Sequence, residues 1–249
     1  MTSTRSTARI VGALFLIQTL GFIFAEQLIK GALNGPDYLA GISGSTTALA
    51  LGALLAFVSG VAVVGIAILM FPLLKPTSEP LALGYVAERV VELVLQVLFF
   101  MTVPLFMIAI GAGLRDGTVD ASATPSLSPL LKSLQDVAVV VLYLVTSVGG
   151  TIFGFLMYRS RLVPRPLAML GLIGYPVLLV GCVLDMFGVT DVTQGAGILA
   201  IVPGGLFELI LPIWLLARGF SHPVATGIKS PDSIDRAPIA AMDRVESAP

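Results

Sequence analysis

Six stretches of this chain stay apolar for about 20 residues or more, the length an α-helix needs to cross a bilayer. They run over about 10–31, 46–74, 81–112, 131–158, 164–187 and 196–219. Lys75-Pro76-Thr77 and Arg161-Leu162-Val163-Pro164 break the chain between neighbours. Of the 249 residues, 56% are hydrophobic and 12% charged. Soluble domains carry roughly 25% charged residues, so water cannot be the solvent for most of this surface. The expected fold class is an all-α integral membrane bundle of six transmembrane helices. It forms one transmembrane domain over 1–220. The polar segment 221–249 shows no helical apolar period and is expected to be a disordered tail. The first stretch reads as an uncleaved anchor, because Ile23 is too bulky for the −3 position of a cleavage site after Ala25.

Lysine and arginine set the expected orientation. Arg5, Arg9, Lys75, Arg159, Arg161, Arg165, Arg218, Lys229, Arg236 and Arg244 fall on one side. Lys30, Arg115 and Lys132 fall on the other, and Arg89 lies within a span. This bias places both termini in the cytoplasm. The Arg-rich, Asn-poor composition fits a bacterial chain, so the expected location is the bacterial cytoplasmic (inner) membrane. On the opposite side the segment from Gly113 to Pro129, rich in Asp, Ser, Thr and Pro, is expected to be irregular.

Absences narrow the chemistry. The only His, His222, lies in the polar tail, which removes histidine metal sites and Ser-His-Asp triads from the membrane region. A single Cys, Cys182, excludes an internal disulfide and a Cys-x-x-Cys redox pair. No phosphate-loop motif occurs. A net charge of −1 offers no field for nucleic acid. Neither a cofactor nor a metal site is expected.

The third span carries the chemistry that remains. Tyr85, Glu88, Glu92 and Gln96 recur at three- and four-residue spacing and form one polar row about 16 Å long. Arg89 sits beside the row and reaches Glu92 at i, i+3. Ionisable residues inside a span cost about 2.5–3.5 kcal/mol each at the bilayer centre, and they mark functional sites by default. In the sixth span Glu208 lies ten residues before Arg218, about 15 Å from that end, close to the depth of Arg89. A Glu208–Arg89 pair would compensate one buried charge. Pro212 withdraws the N–H that Glu208's carbonyl would accept. The candidate ligand-binding residues are therefore Tyr85, Glu88, Arg89, Glu92, Gln96 and Glu208, around a polar cavity opening from the cytoplasmic half.

Weaker features surround this site. Gln18, in the middle of the first span, is expected to make an interhelical contact, with a hydrogen bond into the same cavity as the minor reading. Glu26, Asp136 and Asp185 sit at outer helix ends, with a cation-binding vestibule as the minor reading. Gly52, Ala56 and Gly60, and Gly150 with Gly154, form small-residue faces. Packing within the chain is their favoured use, and contact with a second copy is the alternative. Tyr158 and Trp214 read as interfacial anchors, and Pro104 and Pro176 as kinks.

Several segments together resemble a known family: RIVGALFLI at 9–17, FPLL at 71–74, YVAERVVE at 85–92, RSRLVPRPLAMLG at 159–171 and FELILPIWLLARGF at 207–220. In order and spacing the chain resembles the bacterial membrane-protein family called domain of unknown function 4386, over about residues 8–220. That resemblance implies a multi-span membrane protein and assigns no residue a role. Intramembrane CAAX-type proteases also pair glutamates with an arginine on one helix. They require membrane histidines, which this chain lacks.

The expected function is binding or transport of a small or lipid-like ligand through the Glu/Arg cavity. The alternatives are a metal-free membrane enzyme with a glutamate acid or base, and a structural or regulatory partner protein. Expected partners are the lipid bilayer, that ligand and a second copy of the chain.

Overall fold

A computed structural model describes residues 4–35, 38–39 and 41–221. The expected disordered tail lies outside the described residues. Within them there is no strand, and seven α-helices build six spans. Helix α1 is Thr4–Ala32, α2 Thr46–Leu74, α3 Glu79–Leu95, α4 Val103–Arg115, α5 Thr124–Ser160, α6 Arg165–Met186 and α7 Val202–Ala217. Helices α3 and α4 belong to one span, Glu79–Arg115, joined by a π-helical turn over Gln96–Thr102. The sixth span opens as a 3₁₀ segment, Gly195–Ala200, before α7.

Proline sets many of these starts. It occupies the first turn of α3, α4, α5, α6 and α7, where its missing N–H would have no helical partner. The break expected at Pro104 takes the form of the π-helical turn. Pro104 cannot donate to the carbonyl four residues back, and Thr102 Oγ1 donates to the Val97 carbonyl at 2.9 Å within the widened turn. Pro176, by contrast, lies inside an uninterrupted α6.

The segment 113–129 is less irregular than its composition implied. Helix α4 continues to Arg115, and α5 starts at Thr124 with Pro129 inside it. Ser, Thr, Asp and Pro favour turns, but they also favour helix starts. Asp120 accepts from the Ser122 N–H at 2.8 Å just ahead of α5.

The spans close a ring in chain order: α1 packs on α2, α2 on α3, α3 on α5, α5 on α6, α6 on α7, and α7 back on α1. Gly219 stands beside Ala8, and the Ser221 N–H bonds the Leu162 carbonyl, so both ends of the described chain lie at one end of the bundle. This is called the termini end below. Every span also presents large apolar residues outward, among them Phe24, Ile68, Leu98, Val137, Val180 and Ile213. An apolar belt of this extent is what a bilayer covers.

Inside the ring two apolar layers form. At the termini end Phe153 meets Phe15, Tyr85 and Phe207 with ring centroids 4.8–6.1 Å apart. At the far end Ile29, Leu39, Ile42, Phe100, Met107 and Leu142 form the second layer. Between them lie buried polar side chains: Gln18, Thr19, Ser59, Glu92, Gln96 and Ser147.

The small-residue faces point at neighbours in the same chain. Gly52 faces Ile29, Gly60 faces Leu93, and Gly154 lies against the Leu172 backbone. Between α6 and α7 the neighbour is backbone: a Cβ at Gly174 would lie 2.6 Å from the Gly204 nitrogen. Gly174→Ala should therefore lower stability by about 1–3 kcal/mol, the usual cost of overpacking. Gly31→Ala, with nothing within 4 Å, should leave stability unchanged or slightly raised. Thermal unfolding in detergent checks both, and equal effects would contradict the close α6–α7 contact.

Candidate functional site

The polar row of α3 faces inward. Tyr85, Arg89, Glu92 and Gln96 are all buried, and both Glu88 carboxylate oxygens are buried as well. The 3–4 spacing stacks these residues on one face, and the ring turns that face away from lipid. Arg89 satisfies its charge locally. Its Nη1 donates to Glu92 Oε2, and its Nε lies 3.4 Å from Glu88 Oε2, without hydrogen-bond geometry. The guanidinium also sits 5.1 Å from the centroid of the Tyr85 ring, a cation–π arrangement. Room for Glu88 comes from α5. A Cβ at Gly149 would overlap the Glu88 carboxylate, and one at Gly150 would overlap the Tyr175 ring.

Glu208 does not pair with Arg89, contrary to the sequence expectation. Its Oε2 accepts from Gln18 Nε2 at 3.2 Å and Thr19 Oγ1 at 3.1 Å, and its Oε1 accepts from the Tyr175 hydroxyl at 2.8 Å. The reason is azimuthal. In the ring α3 packs on α2 and α5, whereas α7 packs on α1 and α6. The two residues approach the bundle axis from different sectors of the ring.

A cavity of about 130 Å³ lies between those sectors, at mid-depth. All six spans contribute to its wall. Gln18 and Thr19 come from α1, Ser59 from α2, and Glu92 and Gln96 from the third span. Thr146 comes from α5, Tyr175 from α6 and Glu208 from α7. Ser59 Oγ donates to the Gln18 carbonyl at 2.9 Å and so fixes the α1–α2 register at this level. Of the six residues singled out from sequence, Glu92, Gln96 and Glu208 reach the wall. Tyr85, Glu88 and Arg89 lie outside it, toward the termini end. Gln96 Oε1 is buried and has no hydrogen-bond partner among the described residues.

Sequence reasoning favoured an interhelical contact for Gln18 over a hydrogen bond into the cavity, and it missed Thr19, Ser59, Thr146 and Tyr175. One available signal was depth. Each lies near the middle of its span, so the polar residues of six spans share one level.

Arg89→Met would leave Glu88 and Glu92 without their cation. Breaking a buried pair this way costs about 3–5 kcal/mol, softened because a carboxylate can take up a proton. The double variant Arg89→Met/Glu92→Gln should recover most of the loss. Arg89→Met/Glu208→Gln should recover little, because Glu208 keeps its own donors. Thermal unfolding of the three variants checks this, and equal rescue by both second substitutions would contradict the assignment.

A ring of outwardly apolar helices around a charged layer and a mid-depth chamber defines a polytopic helical membrane protein. The chain belongs to the family described as Domain of unknown function (DUF4386), whose profile matches residues 10–219. The match takes in all six spans. No curated protein and no solved structure matches the chain.

Proposed function

We propose that this protein binds a small, positively charged solute in its mid-depth cavity, as a transporter does at its substrate site. We further propose that it sits in the bacterial cytoplasmic membrane with both termini in the cytoplasm. The observation that carries the first reading is the environment of Glu208. Its carboxylate lines the cavity and is bound by three neutral donors and, among the described residues, no cation. A carboxylate offers about four lone-pair sites, so one acceptor position remains. Gln96 adds a second polar side chain to the same wall, its amide oxygen lying beside Gly60 of α2. Arg89, the one guanidinium inside the bundle among the described residues, is engaged by Glu88 and Glu92. The cavity thus offers acceptors and negative charge, which select a cation with N–H donors.

Size supports a small solute over a lipid-sized one. At about 130 Å³ the cavity is well below the roughly 300–1,000 Å³ of pockets for drug-sized ligands. Mid-depth placement between broken or proline-containing helices is where secondary transporters bind their substrates. Here the π-helical turn begins at Gln96, and α7 carries Pro212 four residues past Glu208.

A second reading applies to the other half of the polar row. Tyr85, Glu88 and Arg89 stand outside the wall, so they act as positioning residues that aim Glu92 rather than as ligand contacts.

Glu208→Gln tests the proposal. The amide is nearly isosteric and removes the charge. Methylammonium and ethylammonium would be titrated against purified protein, with tetramethylammonium, which has no N–H, as the control and thermal unfolding as the readout, because a ligand specific to the folded state raises Tm. The wild type should be stabilised by at least one of the two N–H cations more than by the control, and Glu208→Gln should fold but lose that response. A wild type indifferent to both, a response to the control alone, or a variant that responds equally would overturn the reading.

A further inference from the structure

A second cavity, about 260 Å³, opens at the far end of the bundle between α1, α5 and the segment entering α7. It is distinct from the mid-depth chamber. Phe100 lines the outer cavity and Phe22 the inner one, and their rings meet edge to face at 5.1 Å between centroids. The charges on its walls are arranged as two opposed pairs. Helix α1 supplies Glu26 and Lys30, 2.6 Å apart, and α5 supplies Lys132 and Asp136, 3.0 Å apart. Each pair closes within its own helix at i, i+4, so the two walls face each other with equal numbers of both signs.

Alone, such pairs are ordinary surface features of small worth. Gln135 is what sets this place apart. It lines the cavity, it is only 5% exposed, and its Oε1 has no hydrogen-bond partner among the described residues. Buried side-chain acceptors are normally satisfied. An orphaned one on a residue that lines a charged cavity points to a donor brought by a ligand.

The balance of charge names the ligand class. A simple cation or anion would meet as many like charges as opposite ones. A molecule carrying both signs on a short linker meets a partner for each. We propose that this vestibule binds a small zwitterion, an ammonium joined to a phosphate or carboxylate by a short linker. Glu26, Asp136 and Gln135 Oε1 receive the ammonium, and Lys30 and Lys132 receive the anionic group. The site stands where the helices leave the bilayer, so that chemistry can arrive as an ethanolamine lipid headgroup or as a free solute. This inference stands apart from the Glu208 cavity.

The test uses the full-length protein in nanodiscs of phosphatidylglycerol. In one arm, phosphoethanolamine is titrated by calorimetry. In the other, phosphatidylethanolamine is added to the nanodisc and thermal unfolding is followed. Saturable binding in the first arm identifies a free solute, and a Tm rise in the second alone identifies a headgroup. Either response should weaken by about tenfold or more in Glu26→Gln/Asp136→Asn, because charge-assisted hydrogen bonds are lost. These residues sit at the rim, and the Tm measured without ligand verifies that the variant folds. Gln135→Leu should weaken binding while leaving Tm unchanged or higher, since the orphaned oxygen is removed. Glu208→Gln should bind as the wild type does. The proposal is overturned if neither probe gives a response, or if the double variant responds fully. It is also overturned if Gln135→Leu lowers Tm with binding intact, or if Glu208→Gln abolishes the response.

Discussion

A guanidinium cannot give up its charge inside an apolar bundle, so Arg89 must bring its partners with it. The rest of the interior follows from that demand. Glu92 answers it one turn along the same helix and Glu88 from the adjacent position, while the Tyr85 ring covers the guanidinium. All are residues of α3, so the compensation forms as the helix forms and needs no second span to arrive first. The neighbouring helix has to make room for the bulk, and α5 does so with Gly149. Isolated burial of the same carboxylates would cost several kcal/mol each.

Because Arg89 is satisfied by its own helix, Glu208 is left to neutral donors. Gln18, Thr19 and Tyr175 supply three hydrogen bonds from α1 and α6, the two helices that flank α7 in the ring. The two carboxylate systems therefore remain separate, and the space between them is the mid-depth cavity. Apolar layers bracket it. The layer at the termini end is built around Phe153, and toward the far end the Phe22–Phe100 contact divides it from the outer vestibule. Polar residues of all six spans meet at this level and supply partners for one another, as an apolar surrounding requires.

The six spans were legible in the sequence because hydropathy over about 20 residues is a direct reading of bilayer thickness. The inward row of α3 was legible for a similar reason, since helical periodicity alone puts Tyr85, Glu88, Glu92 and Gln96 on one face. Azimuth between helices was not. Counting residues from the helix ends paired Arg89 with Glu208, yet the ring places α3 and α7 in different sectors, and no local pattern encodes ring order. The π-helical turn escaped as well: Pro104 marked a disturbance, but proline is compatible with a kink, a helix start or a widened turn. At 113–129 the same residue types that mark loops also begin helices, and α5 uses Pro125 in that second role. Thr19, Ser59, Thr146 and Tyr175 are unremarked polar residues in apolar spans, and only the assembled bundle brings them to one wall.

The central claim is that the mid-depth cavity holds a small ligand. Native mass spectrometry of the wild-type protein, released from mild detergent, addresses it without a guess about identity. The account predicts a non-covalent adduct of low mass, carrying an amine, that survives release and is absent from protein denatured in acid. A wild-type spectrum showing only bare protein and detergent, from preparations that remain folded, would contradict it.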